Sequence, residues 1–119
     1  VTMLLIALGA AVGAPLRYLT DRAVQARFGT AFPWGTLTVN VAGSTLLGFL
    51  VGIPVSPAVG ALLGTGLCGA LTTYSTFSYE TLRLARSDRP GRALGNALLS
   101  VPATLTAATV GYALAQALP

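Results

Sequence analysis

One stretch of this chain concentrates the residues that could meet an ion stripped of its water: GTGLCGALTTYSTFSYE, from Gly64 to Glu80. Gly64, Gly66 and Gly69 weaken a helix there, and six hydroxyl residues crowd Thr72 through Ser78. A helix that breaks at membrane depth is tolerated only where neighbouring protein or a water-filled cavity satisfies the freed backbone groups. Its exposed carbonyls and amides can then coordinate ions. If helix resumes after the break, Tyr74 and Phe77 share a face, with Ser75 and Ser78 on an adjacent one. Elsewhere, Asn40 stands with Ser44 and Thr45 in an apolar run, and Ser100 and Thr104 are four apart in another. An isolated amide in hydrocarbon would leave donors unsatisfied, so Asn40 must face protein or water. An interhelical hydrogen bond and a place on a polar path both answer that need. Hydroxyls at helical spacing commonly bond the preceding turn, which is the plainer reading of Ser100 and Thr104.

This is coordination chemistry and not catalysis. No nucleophile with a base, no paired carboxylates and no phosphate-binding loop is present, so the chain reads as a non-enzyme. There is no histidine and only one cysteine, Cys68, which leaves zinc without a ligand set and excludes an intrachain disulfide framework. The net charge of +4 is small and dispersed, and the arginines lie beside apolar segments, so no nucleic-acid footprint exists.

The elements that must position these residues follow from hydropathy. Hydrophobic residues make up 54% of the chain and charged ones 8%, a balance suited to lipid. A bilayer-crossing helix needs about 20 mostly apolar residues. Four segments qualify: Thr2 to Leu19, Thr36 to Ile53, Ala58 to Leu82 and Ala93 to Leu118. The fold class is therefore all-α, a single four-helix transmembrane subunit spanning 1–119, with its third helix broken. Asp21 to Gly35 reads as a loop ending at an interfacial tryptophan, Trp34. Pro54 to Pro57 makes a tight hairpin, and Arg83 to Arg92 is a polar loop. The first segment lacks a basic region before its apolar run, which separates it from a signal peptide. The glycine pairs Gly9 and Gly13, Gly48 and Gly52, Gly60 and Gly64 have the spacing that lets backbones pack closely in lipid.

Every arginine falls in or near the first and third connections, which four spans place on one side of the membrane. The positive-inside rule predicts both connections in the cytoplasm and both termini outside.

The chain resembles the Fluc, or CrcB, family of small bacterial fluoride channels. The resemblance runs over nearly the whole length, on GAPLRY (Gly13 to Tyr18), WGTLTVNVAGSTLLG (Trp34 to Gly48) and GLCGALTTYSTFSYE (Gly66 to Glu80). It implies a four-helix subunit that works as an antiparallel dimer in the plasma membrane of a prokaryote, with two fluoride pathways along the subunit interface. It also implies a structural sodium ion (Na+) at the dimer centre, held by the main-chain carbonyls of Gly69 and Thr72 from both subunits. Asn40 matches the family's pore asparagine, and Tyr74 and Phe77 its pore aromatics. Tyr74 replaces the usual phenylalanine, and its phenol could donate to the anion or obstruct it. Ser75, Thr76, Ser78, Ser100 and Thr104 match a polar track, Glu80 a glutamate near the pore end, and Arg17 a vestibule arginine. Where the family often has a tyrosine in its fourth helix, this chain has Asn96.

A homodimer inserted both ways should show little positive-inside bias. The one-sided arginines therefore keep open a heterodimer with a related, oppositely oriented subunit. Two further function classes fit the same residues. One is a proton-coupled dual-topology exporter with Glu80 as carrier carboxylate; the other is a noncatalytic membrane subunit that only packs against larger partners.

Overall fold

A computed structural model describes residues 1–87 and 90–119. Helix α1 runs Thr2–Phe28, α2 Trp34–Gly52 and α5 Gly91–Gln116, each long and apolar enough to cross a membrane. Between α2 and α5 the chain forms two shorter arms. The first, α3 (57–71), joins Pro57–Val59, a π-helical Gly60–Cys68 and Gly69–Leu71; the second, α4, is Tyr74–Ala85. Counting the bent pair as one, the subunit has four helices, and among the described residues it has no strand.

Two predicted boundaries are corrected. The expected loop from Asp21 is helix as far as Phe28. At about 1.5 Å per residue, the 27 residues of α1 span roughly 40 Å, longer than the ~30 Å hydrocarbon core. Charge at Asp21 thus marks where the helix leaves lipid, not where it ends. This overhang is stitched by i,i+4 contacts: Gln25 Nε2 donates to Asp21 Oδ2 at 2.9 Å, and the Arg22 guanidinium donates to Tyr18 at 3.0 Å. Gly29, with φ 80° and ψ −173°, then turns the chain through a conformation that only glycine adopts readily. The predicted third connection is also shorter than Arg83 to Arg92, because Arg83 and Ala85 remain in α4 and Gly91 already begins α5. Asp88 and Arg89 of that connection lie outside the described residues.

Packing follows the small residues. Gly48 rests on the Ala108 backbone and Gly111 on that of Thr45, which fastens α2 to α5. Gly9 and Gly13 lie against the backbone of Leu62 and Leu67, fastening α1 to α3, with Gly66 returning the contact. Without a hydrophobic force between helices in lipid, such close approach supplies the attraction. Gly60, by contrast, has open space where a side chain would be, and Gly64 has only the tip of Leu47 nearby. The predicted pair Gly60 and Gly64 therefore packs little within the subunit.

The first connection meets the start of α5 at one end, where the Arg92 guanidinium donates to the Ala31 carbonyl at 3.4 Å, and the ring of Phe32 lies 4.7 Å from that of Trp34. At the other end Gln116 Nε2 donates to the Gly52 carbonyl at 2.7 Å, satisfying a terminal carbonyl of α2. Because α2 pairs with α5 and α1 with α3, α2 and α3 touch little, and a groove opens between them.

Candidate ion site at the broken helix

The break falls at Thr72 and Thr73, both extended, with φ/ψ of −82°/160° and −151°/121°. The Thr72 hydroxyl and amide both donate to the Cys68 carbonyl, at 2.8 and 3.0 Å, and close the first arm. Thr73 is then held by Asn40 of α2 through two bonds. The Thr73 N–H donates to Asn40 Oδ1 at 2.8 Å, and Asn40 Nδ2 donates to the Thr73 carbonyl at 3.1 Å. The Thr73 hydroxyl caps the second arm by accepting from the Thr76 N–H at 3.1 Å. Thr73→Ala should cost about 0.5–2 kcal/mol, read as a lower melting temperature in detergent, and Thr73→Ser should restore it.

These bonds divert donors that a continuous helix would use for its own carbonyls. In an uninterrupted α-helix the Thr73 N–H would go to the Gly69 carbonyl and the Thr76 N–H to that of Thr72. Both donors are diverted here, to Asn40 Oδ1 and Thr73 Oγ1. The Gly69 and Thr72 carbonyls, which the resemblance assigns to a cation, are thus among the carbonyls that lose their helical donors at the break. Among the described residues no group of three or more carboxylates, thiols or imidazoles could hold a metal ion.

The groove between α2 and α3 has a volume of about 750 Å³ and runs past Asn40, Gly64, Gly69, Thr72, Tyr74 and Thr104. Tyr74 is 81% exposed, with its ring centroid 6.1 Å from that of half-buried Phe77 and the planes tilted by 39°. Ser75 and Ser78 are exposed on α4, with Ser75 Oγ 3.4 Å from Thr73 Oγ1. Thr76 turns away, lining a second pocket of about 150 Å³ with Arg17, Tyr18, Asp21 and Thr36. Glu80 is half-buried and accepts the Thr36 hydroxyl at 2.6 Å. Thr104 reaches the groove, its hydroxyl donating back to the Ser100 carbonyl at 2.8 Å. Ser100 itself is buried, and its hydroxyl donates to Asn96 Oδ1 at 3.1 Å. The structure thus brings Asn40, Gly69, Thr72, Tyr74 and Thr104 to one groove, and Arg17 and Thr76 to a separate pocket.

Two residues at this site have no role assigned from the sequence, although Asn96 stands where the family often has a tyrosine. Thr73 is the hinge and the cap; threonine is one of the residue types preferred just before a helix starts. Asn96, 1% exposed, donates from Nδ2 to Thr81 Oγ1 at 2.9 Å. It is a lone amide in an apolar helix, and that alone marks it as a residue in need of a partner.

Three membrane-length helices and a fourth that bends at Thr72 and Thr73 define a small multi-pass membrane protein with a candidate ion site at the bend. Residues 4–112 match the model of the family described as CrcB-like protein, Camphor Resistance (CrcB). The chain is 57% identical over 119 residues to fluoride-specific ion channel FluC 1 of Streptomyces avermitilis, covering 97% of this chain and 96% of the relative. It is 57% identical to the FluC 1 of Frankia casuarinae, with 96% and 95% covered. To that of Thermobifida fusca it is 53% identical, with 94% and 93% covered. The chain belongs to the CrcB family, as a multi-pass membrane protein of a prokaryote.

Proposed function

We propose that this chain is one subunit of a fluoride-selective channel of the plasma membrane, in which two subunits pair antiparallel and pass fluoride passively out of the cytoplasm. The observation that carries this reading is the Asn40–Thr73 clamp, which holds a helix open beside a groove lined by Tyr74, with the Phe77 ring 6.1 Å from that of Tyr74. The names of its relatives supply the ion.

Fluoride is small and strongly hydrated, so a selective path must replace its water with closely spaced donors, a shell that larger halides would fit poorly. Asn40 spends Oδ1 and one N–H on Thr73, and an amide has a second N–H left to offer. Ring edges of Tyr74 and Phe77 carry partial positive charge and suit a nearly dehydrated anion. Arg17, in the smaller pocket, would raise the local anion concentration at the entrance.

Pairing rests on the groove. Gly60 and Gly64 have the spacing of a packing face but almost no neighbour within their own subunit, which a second subunit would provide. The freed carbonyls of Gly69 and Thr72 fit a hard cation such as sodium, and two oxygens make only part of its shell, so both subunits would be needed to hold it. The partner is a second copy or a related chain of opposite orientation, and the one-sided arginines are the ground for the latter. Undissociated hydrogen fluoride crosses membranes and ionises in neutral cytoplasm, and the inside-negative potential drives the trapped anion out.

Proteoliposomes loaded with fluoride in pH-clamped buffer test this reading. A channel releases fluoride when valinomycin balances charge, without a proton gradient, and retains chloride. Release that requires a proton gradient would make the chain an exporter with Glu80 as its carrier, and no release would leave it a packing subunit.

A further inference from the structure

Helix α4 carries Tyr74 and Phe77, yet little apolar surface holds it in place. Leu84 is its one fully buried residue. Polar ties also join it to the rest of the subunit: Asn40 to Thr73 just before its start, Thr36 to Glu80, and a buried chain from α5. That chain runs in one direction. The Ser100 hydroxyl donates to Asn96 Oδ1 at 3.1 Å, Asn96 Nδ2 donates to Thr81 Oγ1 at 2.9 Å, and the Thr81 hydroxyl donates to the Phe77 carbonyl at 2.8 Å. A hydroxyl has one proton, so Thr81, having given its own to Phe77, can only accept from α5. The orientation of the Asn96 amide is thereby fixed, and Ser100, also spent as a donor, turns lone pairs to its surroundings.

We propose that Asn96 is a positioning residue: by tying Thr81 to α5 it sets the rotation of α4 about its own axis, and so keeps Tyr74 turned toward the groove with Phe77 beside it. Asn96 is 1% exposed and lines none of the described cavities, so it acts through Thr81 and not by touching the ion. A helix fixed by packing tolerates the loss of one hydrogen bond with small shifts. A helix with one buried apolar residue is free to roll, and each residue along it is offset by about 100° from the next. A modest roll therefore moves an aromatic ring off the groove. Residues in one hydrogen-bonded chain also lose their contribution together, so their variants should not add.

This inference rests on the proposed channel reading for its functional readout, and hydrogen exchange supplies a second readout independent of it. Thr81→Val preserves shape and removes the acceptor, Asn96→Leu removes the donor, and Thr81→Ser retains the hydroxyl. All would be reconstituted, counted as folded channels, and compared for fluoride turnover and for exchange of the amides of Tyr74–Ala85. Thr81→Val and Asn96→Leu should each lower turnover per folded channel at least tenfold and speed exchange across α4. Thr81→Ser should behave as the unchanged protein, and the double variant should be no worse than Asn96→Leu alone. Should Asn96→Leu fail to fold, the Thr81→Val and Thr81→Ser pair carries the same comparison. A lowered melting temperature with unchanged turnover and exchange would make the chain of bonds merely structural and overturn the proposal, as would additive losses in the double variant. If the unchanged protein passes no fluoride, the channel reading fails, and exchange alone decides whether Asn96 pins α4.

Discussion

Asn40→Leu should abolish fluoride release and destabilise the subunit more than any other single polar replacement in the chain. The Asn40 side chain is the sole partner described for both the N–H and the carbonyl of Thr73, at 2.8 and 3.1 Å. Each backbone group left unsatisfied away from water costs about 1–3 kcal/mol, so removing the amide exposes the break to roughly 2–6 kcal/mol. The chain can relieve that cost by returning the Thr73 N–H to the Gly69 carbonyl, which would straighten the helix and withdraw a carbonyl from the proposed cation site. Asn40→Asp separates the two functions of the amide. It keeps the acceptor for the Thr73 N–H but sets an anionic oxygen against the Thr73 carbonyl, beside a path meant for anions. Release should vanish in both variants, whereas the fall in melting temperature should be larger for leucine if protonation of the aspartate restores a donor. Thermal melts in detergent followed by Trp34 fluorescence, beside liposome efflux, measure both. An Asn40→Leu protein with an unchanged melt and unchanged release would show that the clamp holds nothing.

The clamp also marks the limit of what the sequence discloses. That the third apolar run breaks was legible in Gly64, Gly66 and Gly69 and in the hydroxyls after them. Where it breaks was not, because a glycine inside a helix costs only about 1 kcal/mol relative to alanine and does not itself end one. Here Gly64 and Gly66 sit in π-helical backbone, and Gly66 serves the crossing with α1. The break comes later, at Thr73, where a side chain 33 residues away takes over the backbone bonds. Such a partner is a tertiary fact with no local signature. Asn40 was nevertheless readable from its desolvation cost. Asn96 bears the same cost, so it was equally readable as a residue needing a partner, though not which one. The first helix misled for a simpler reason: hydropathy reports where an apolar run ends, and the charged stretch from Asp21 to Phe28 continues the same helix.

Gly9→Val should prevent the subunit from assembling its α1–α3 half, while Gly60→Ala should be harmless to the isolated subunit. The sequence offers both as members of small-residue pairs, and only the packing separates them. A Cβ on Gly9 would strike the Leu62 carbonyl and stand 2.7 Å from the Leu67 N and 3.0 Å from the Gly66 Cα. These are backbone atoms, which cannot swing aside as a flexible side chain would. Overpacking in a close-packed interior costs about 1–3 kcal/mol and occasionally more. In lipid the loss is compounded, since close contact is itself the source of attraction between helices. Separation of α1 from α3 would also loosen the first arm of the broken helix, to which α1 is its main neighbour. Gly60 instead has helical dihedrals, φ −60° and ψ −41°, and nothing within 4 Å of an added Cβ. Alanine there should stabilise the arm by up to about 1 kcal/mol in a single subunit. Size-exclusion profiles and melts in detergent would compare the two, and a Gly9→Val protein as monodisperse and heat-stable as the original would refute the close crossing. Gly60 then carries the second half of the test. If another subunit closes over the groove, Gly60→Leu should leave single subunits folded but shift them from dimer to monomer, an effect that Gly9→Val cannot mimic because it acts before a groove exists.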